Sequence, residues 1–429
     1  EFLERRYNPQ SRTILSVISL VSYVLTKVAV TVYAGGLVFQ QVFGIKELWG
    51  IDFFWIAAIG LVVLTALYTI FGGMKSVLYT SVLQTPILLL GSLIILVLGF
   101  KELGGWDEMM RVCGAVTVND YGDTMTNLIR SNDDANFPWL GALIGSAIIG
   151  FWYWCTDQFI VQRVLSGKNE KEARRGTIFG AYLKLLPVFL FLIPGMIAFA
   201  LHQKYIGAGG EGFLPMLANG TANADAAFPT LVAKLLPAGV KGLVVCGILA
   251  ALMSSLASLF NSSAMLFTID FYKRFRPETP EKKLVGIGQI ATVVIVILGI
   301  LWIPIMRSVG DVLYTYLQDV QSVLAPGIAA AFLLGICWKR TSAQGGMWGL
   351  IAGMIIGLTR LGAKVYYSNA GEVADSTFKY LFYDMNWLFF CGWMFLFCII
   401  VVIVVSLATE APTAEKIQGL VFGTATKEQ

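Results

Sequence analysis

Long apolar runs bounded by charged residues recur from one end of this chain to the other. Ten can be placed, near residues 13–43, 51–70, 76–100, 137–162, 176–202, 238–270, 285–304, 312–336, 342–359 and 385–407. A helix advances only ~1.5 Å per residue, so about 20 apolar residues are needed to cross a hydrocarbon core ~30 Å thick. The pattern therefore predicts an all-α polytopic membrane protein, with residues 1–429 forming a single transmembrane domain. The runs at 13–43, 137–162 and 238–270 exceed a perpendicular crossing, which predicts tilt, a break, or helix continuing past the bilayer. Gly345, Gly349, Gly353 and Gly357, each four residues apart, clear one face of a span for close backbone approach, and Gly141 with Gly145 repeat the spacing. Such stripes predict a packed bundle and leave its function open.

Orientation follows from lysine and arginine, which concentrate in cytoplasmic loops. Residues 1–12, 71–75, 163–175, 271–284, 337–341 and 408–429 hold 18 of the 31 basic residues. The opposite set, which includes the loops near 101–136, 203–241 and 360–384, holds 11 in a longer total, and Lys27 and Lys184 fall inside spans. Both ends of the chain are thus predicted to be cytoplasmic in a multi-pass cell-membrane protein. The acidic loop carrying Asp107, Glu108, Asp120, Asp123, Asp133 and Asp134 is predicted to be external.

Composition removes other classes. With 57% hydrophobic and only 14% charged residues, water is not the main solvent of this chain. A net charge of +4, without a basic run interleaved with aromatics, excludes a nucleic-acid partner. Of the cysteines at 113, 155, 246, 337, 391 and 398, only Cys113 falls in a long hydrophilic loop, which predicts apolar packing residues and no disulfide framework. The single histidine, His202, excludes Ser-His-Asp and multi-histidine metal chemistry, and its place at the end of an apolar run predicts an interfacial position. No span carries a metal motif or a nucleophile beside a base, so neither an enzyme nor an organic cofactor is expected. The chain opens with Glu1-Phe2-Leu3 and is read as beginning inside a longer protein.

Polar groups inside the spans carry the remaining information. Residues 247–272 place Ser254, Ser255, Ser258, Asn261, Ser262 and Ser263 in an apolar helix. Adjacent hydroxyls can coordinate a hard cation, or bond back to the carbonyl four residues earlier. Residues 151–165 put Trp152, Tyr153, Trp154, Asp157 and Gln158 near membrane depth after a glycine-rich approach. That suits a broken helix lining a cavity, where rings stack on a ligand, and equally an interfacial aromatic belt. Asp157 with Arg163 suggests an ion pair at the cytoplasmic mouth. Lys184 has apolar neighbours on both sides, and a buried ammonium there needs oxygen partners from the protein or a polar ligand. Gln318, Asp319 and Gln321 bring further polar groups, Pro326-Gly327 predicts a kink, and Lys27 reads as a structural pairing.

The segments WYWCTDQ with IVQR, YLKLLP with PGM, LMSSLASLFNS with FTIDFY, and YLQ with APGIAAAFLLGICWKR resemble the sodium/glucose cotransporter branch of the solute:sodium symporters. EFLERRY and ALYTIFGGMKSVLYTSVLQT match as well, so the likeness covers essentially the whole chain. The resemblance implies the inverted five-plus-five helix repeat (LeuT-like fold), with sodium and sugar bound near mid-membrane and access alternating across the bilayer. It implies that a leading helix, the first two core helices and a final helix lie beyond the two ends of this sequence. Carried over residue by residue, it assigns sodium to the Ala251 carbonyl and the Ser254 and Ser255 hydroxyls. It assigns the sugar to Lys184, Gln318 and Trp154, with Tyr153 as an aromatic gate and Tyr314 lining the pocket. Gly150 stands where a related galactose transporter has asparagine. Members with a second sodium site place an aspartate where Ser81 stands and a hydroxyl where Ala257 stands, so one coupled sodium is implied here.

The function implied is sodium-coupled symport of a neutral hexose such as glucose or galactose, with sodium as the coupling ion and the lipid bilayer as surroundings. Inositol, nucleoside, sialic acid, proline and iodide carriers share the scaffold, and Lys184, Gln318 and the aromatic segment favour a polyol ring. A passive channel or sensor is the rival from another class.

Overall fold

The computed structural model describes residues 1–217, 220–309, 312–370 and 374–424, with side chains except at 68, 70–77, 80, 83 and 307–309. Its long helices are α1 Pro9–Ser22, α2 Ala29–Phe43, α3 Phe53–Leu103, α4 Trp139–Phe151, α5 Glu170–Leu183 and α6 Ile193–Gly207. They continue with α7 Ala238–Met265, α8 Glu281–Val309, α9 Leu313–Cys337, α10 Ala343–Asn369 and α11 Trp387–Ala408. Among the described residues the fold is all-α apart from a two-residue-strand hairpin, Glu47–Leu48 with Ile51–Asp52, and two isolated bridges in loops. Among the described residues, nine helical stretches are long and apolar enough to cross a membrane, and Phe53–Leu67 is a shorter apolar segment.

Two stretches differ from the sequence reading. Helix α3 runs 51 residues without a break, where a loop at 71–75 was expected. Only Gly72 and Gly73 mark that place, and glycine costs a helix about 1 kcal/mol per residue, too little to end it. Helix α10 runs on to Asn369 where the apolar run ends near 359, because its last turns carry Arg360 and Lys364 on a buried side.

The chain packs as two compact units, each built from separated stretches. Unit 1 comprises Glu1–Thr26, Ser131–Arg163 and Ser262–Gln429, and unit 2 comprises Lys27–Arg130 and Val164–Asn261.

In unit 1, helices α9, α10 and α11 pack mutually, and α4 packs on α11 and α9. The glycine stripe of α10 serves two neighbours. A Cβ at Gly349 would overlap the Val402 side chain of α11, whereas one at Gly353 would come within 2.7 Å of the Gly327 Cα of α9. Gly141 and Gly145 of α4 likewise admit Leu388 of α11. The C-terminal end of α9 is held by Arg6, which is fully buried and donates to the carbonyls of Gly335 (2.9 Å), Thr341 (3.0 Å) and Trp338 (3.1 Å). A guanidinium at that place satisfies orphan carbonyls and opposes the negative end of the helix dipole. Tyr7 adds a bond to the Ala331 carbonyl at 2.6 Å.

Unit 2 has its own core, in which Ile95, Ile197, Leu201, Leu231, Val232, Val244 and Ile248 interlock. His202 belongs to this interior rather than to an interface. It is 3% exposed, and its Nδ1 accepts the Leu214 backbone N–H at 3.0 Å. The fold supplies a backbone donor in the loop after α6, so the imidazole is buried as a neutral acceptor.

Candidate functional site

In unit 2, helix α7 carries Ala251, Ser254 and Ser255 at helical spacings of three and four, which place the three on one side of the helix. Ser254 is 5% exposed and Ser255 is half-buried. The Ser254 hydroxyl lies 2.6 Å from that of Ser81 on α3. The hydroxyl pair brings two oxygens together between two largely apolar helices. Hydroxyl and carbonyl oxygens of this kind suit a hard monovalent cation. Among the described residues, no three His, Cys, Asp or Glu side chains converge on a metal position.

Lys184, also in unit 2, stands at the C-terminal cap of α5, where its N–H donates to the Gly180 carbonyl at 3.0 Å. The helix breaks there before Pro187 and resumes as a π-helical turn over Val188–Leu192. The sequence reading expected a buried ammonium, and the structure places Lys184 exposed. The reason is that nothing packs around this helix: none of its residues Glu170–Leu183 is buried, so no packed face encloses the Lys184 side chain.

In unit 1, α4 passes at Trp152–Thr156 into a π-helical turn, then breaks at Asp157 before the helix Gln158–Leu165. This is the broken helix that the glycine-and-aromatic segment predicted. Trp152 is buried, while Tyr153 is half-buried and Trp154 is 49% exposed, their rings meeting edge-on at 5.1 Å between centroids. Asp157 caps the break, accepting the Phe159 N–H at 3.1 Å and the Tyr23 hydroxyl at 3.0 Å. Its neighbour on the turn, Cys155, is exposed, as are Cys246 and Cys337. Only Cys113, Cys391 and Cys398 are the buried packing thiols that all six were expected to be.

Helix α9 packs against this turn and brings Tyr314 and Gln318 onto one face. The Gln318 amide N–H donates to the Tyr314 hydroxyl at 3.0 Å, a bond that uses neither the amide oxygen nor the phenolic hydrogen. Tyr314 is 55% exposed. Exposed aromatic faces beside an amide and a phenol can stack on a ring and bond its hydroxyls.

Sequence reasoning overlooked two groups. Ser81 entered only as a missing carboxylate, although its hydroxyl meets Ser254. Asp319 was read as one polar group among several, and Arg360 and Lys364 as loop residues. In the structure Asp319 pairs with Lys364 at 2.5 Å and Arg360 at 3.5 Å. The available signal was two basic residues four apart, extending a span that carries a facing acid on its neighbour.

Residues 1–353 match the family described as the sodium:solute symporter family. The chain is 36% identical to the sodium/mannose cotransporter SLC5A10 of Bos taurus, over 99% of this chain and 72% of that protein. It is 35% identical to the sodium/myo-inositol cotransporter 2 of Homo sapiens, over 99% of this chain and 64% of that protein. With the sodium/glucose cotransporter 1 of Ovis aries it shares 36% identity, over 96% and 63%. The chain thus spans roughly two thirds of the length of these relatives. The structure superposes on a Na+-coupled sialic acid symporter in its substrate-bound outward-open state with a TM-score of 0.72, at 22% identity, covering 96% of this chain and 77% of the other. The fold is accordingly the inverted-repeat transporter fold.

Proposed function

We propose a function on one premise: this chain belongs to the sodium:solute symporter family. We propose that it is a transporter, not an enzyme, that couples entry of sodium to entry of a neutral hexose, as one multi-pass transporter domain. The observation that carries the substrate class is the set of relatives. Their names specify mannose, myo-inositol and glucose, all neutral polyhydroxylated rings, over nearly the whole of this chain. The Tyr153–Trp154 pair and the Gln318–Tyr314 pair supply flat faces and amide and phenol bonds suited to such a ring. Myo-inositol is the second reading, favoured by the human relative and by the same donor chemistry.

In this reading sodium binds the Ser254 and Ser255 hydroxyls and the Ala251 carbonyl, while Lys184, Gln318, Trp154, Tyr153 and Tyr314 meet the sugar. Uptake of labelled glucose, galactose, mannose and myo-inositol by the full-length protein in proteoliposomes tests it. Accumulation against a gradient that vanishes when sodium is replaced by potassium or choline supports symport, and downhill uptake indifferent to sodium would point to a channel. We further propose one sodium per solute, because the position beside Ser254 holds a serine hydroxyl and no carboxylate. A reversal potential matching two sodium ions would refute that ratio.

Losing a buried or ligand-facing donor costs roughly 1–3 kcal/mol. Lys184→Ala and Gln318→Ala are therefore expected to raise the half-saturating hexose concentration by about 5- to 150-fold. Concentration-dependent uptake measures this, and two variants of unaltered half-saturation would move the pocket elsewhere.

A further inference from the structure

Helix α9 carries two functions on adjacent faces. Tyr314 and Gln318 form one, and Asp319, Val323 and Gly327 form the other, a stripe with a four-residue repeat that rests on α10. Consecutive helical residues are separated by about 100° around the axis, so any rotation of α9 that shifts Asp319 swings Gln318 with it.

The contacts along that stripe are unequal. Gly327 meets Gly353 through backbone atoms, and the Val323 carbonyl lies against Gly357. Both are close backbone approaches, the second with the Val323 Cβ beside it. A further contact on the stripe is charged. Asp319, 8% exposed, faces Lys364 at 2.5 Å and Arg360 at 3.5 Å. Arg360 is fully buried, donates to the carbonyls of Met385 (2.7 Å) and Leu381 (3.3 Å), and covers the Phe390 ring with its guanidinium carbon 4.1 Å from the centroid. The clamp therefore ties α9 to α10 and to the segment entering α11. It is directional where the glycine contacts are not, and it sits one residue from Gln318. An ion pair in a bundle of this kind adds little net stability over an apolar pair, whereas losing one member strands its partners.

We propose that Asp319, held by Arg360 and Lys364, is a positioning residue that sets the rotation of α9 and so aims Gln318 and Tyr314 at the solute. This rests on the assignment of Gln318 to the solute site. Asp319 itself touches no solute, and it acts through its neighbour on the helix.

The test is uptake by full-length protein in proteoliposomes, with D-glucose, D-mannose and myo-inositol as labelled probes. Asp319→Asn is expected to raise the half-saturating concentration of the transported probe at least tenfold, while the half-saturating sodium concentration, measured at saturating probe, changes less than twofold. Asp319→Asn with Lys364→Met removes one stranded cation and is expected to recover part of the loss. Lys364→Met alone, at a less buried position, is expected to give a smaller rise, and it decides the matter should Asp319→Asn fail to fold. Thermal unfolding of each variant in detergent separates folding from aim. Lower thermal stability with unchanged half-saturation would overturn the proposal, as would an equal loss of sodium and solute affinity. Absence of sodium-driven uptake of every probe by the unmodified protein would overturn the underlying reading instead, and the proposal with it.

Discussion

Sodium-driven uptake is expected to disappear when Ser254 and Ser255 are both replaced by alanine. A hard cation in a low-dielectric bundle is held only by the oxygens around it, and two of about five would be gone. Each single variant should keep its helix, since alanine is the better helix former, so the loss would fall on the ion and not on the fold. Each single change is expected to raise the half-maximal sodium concentration about tenfold or more, equivalent to ~1.4 kcal/mol. Ser254→Ala should be the more damaging, because it also breaks the hydroxyl pair with Ser81. Ser81→Ala, which removes that partner but no proposed ligand, is expected to produce a smaller rise. Sodium titrations of uptake in proteoliposomes measure all four. Sodium dependence identical to the unmodified protein in both single variants would remove the serine pair from the ion site.

Gly357→Ala is expected to loosen unit 1. The added carbon would overlap the Val323 carbonyl oxygen, a backbone atom that cannot rotate aside. Helices α9 and α10 would have to separate, at a cost on the order of 1–3 kcal/mol for an overpacked contact. Gly362→Ala on the same helix provides the control with opposite sign. No atom lies within 4 Å of its added carbon, so relief of glycine's backbone entropy should stabilise by roughly 0.5–1 kcal/mol. Melting of the two purified variants in detergent compares them directly. Equal melting temperatures would mean that α9 and α10 pack less tightly than described.

The spans were legible because hydrocarbon imposes a length and a composition on every crossing, and the α10 stripe because close approach in lipid leaves glycine few substitutes. The break at Trp152–Thr156 was legible for a related reason, in that aromatics and an acid following a glycine-rich approach cannot all be accommodated in one lipid-facing helix. The continuity of α3 through 71–75 was hidden, since two glycines and a lysine read alike as a weak helix or a turn. Lys184 was misjudged as buried because neighbours in sequence report the run, while burial is decided by whether another element packs on the helix, and none of Glu170–Leu183 is buried. The clamp on Asp319 was hidden for the converse reason: Arg360 and Lys364 lower the hydropathy that marks a span, and the acid that neutralises them stands 41 and 45 residues earlier, respectively. For the ion site, adjacent serines were visible, but the contact of Ser254 with Ser81, on a helix more than 150 positions away, required the fold.

Cys155 lies on the π-helical turn between Trp154 and Thr156, exposed, while three of the other five thiols are sealed inside. The unaltered chain thus offers an attachment point for a thiol-reactive fluorophore one residue from its exposed aromatic pair. With Cys246 and Cys337 changed to serine, Cys155 would be the sole exposed thiol among the six, and dye attached there would sit close enough to the Trp154 indole for contact quenching. Solute arrival at the aromatic turn, if the proposed assignment holds, would then register as light, in a single molecule and without a radioactive tracer.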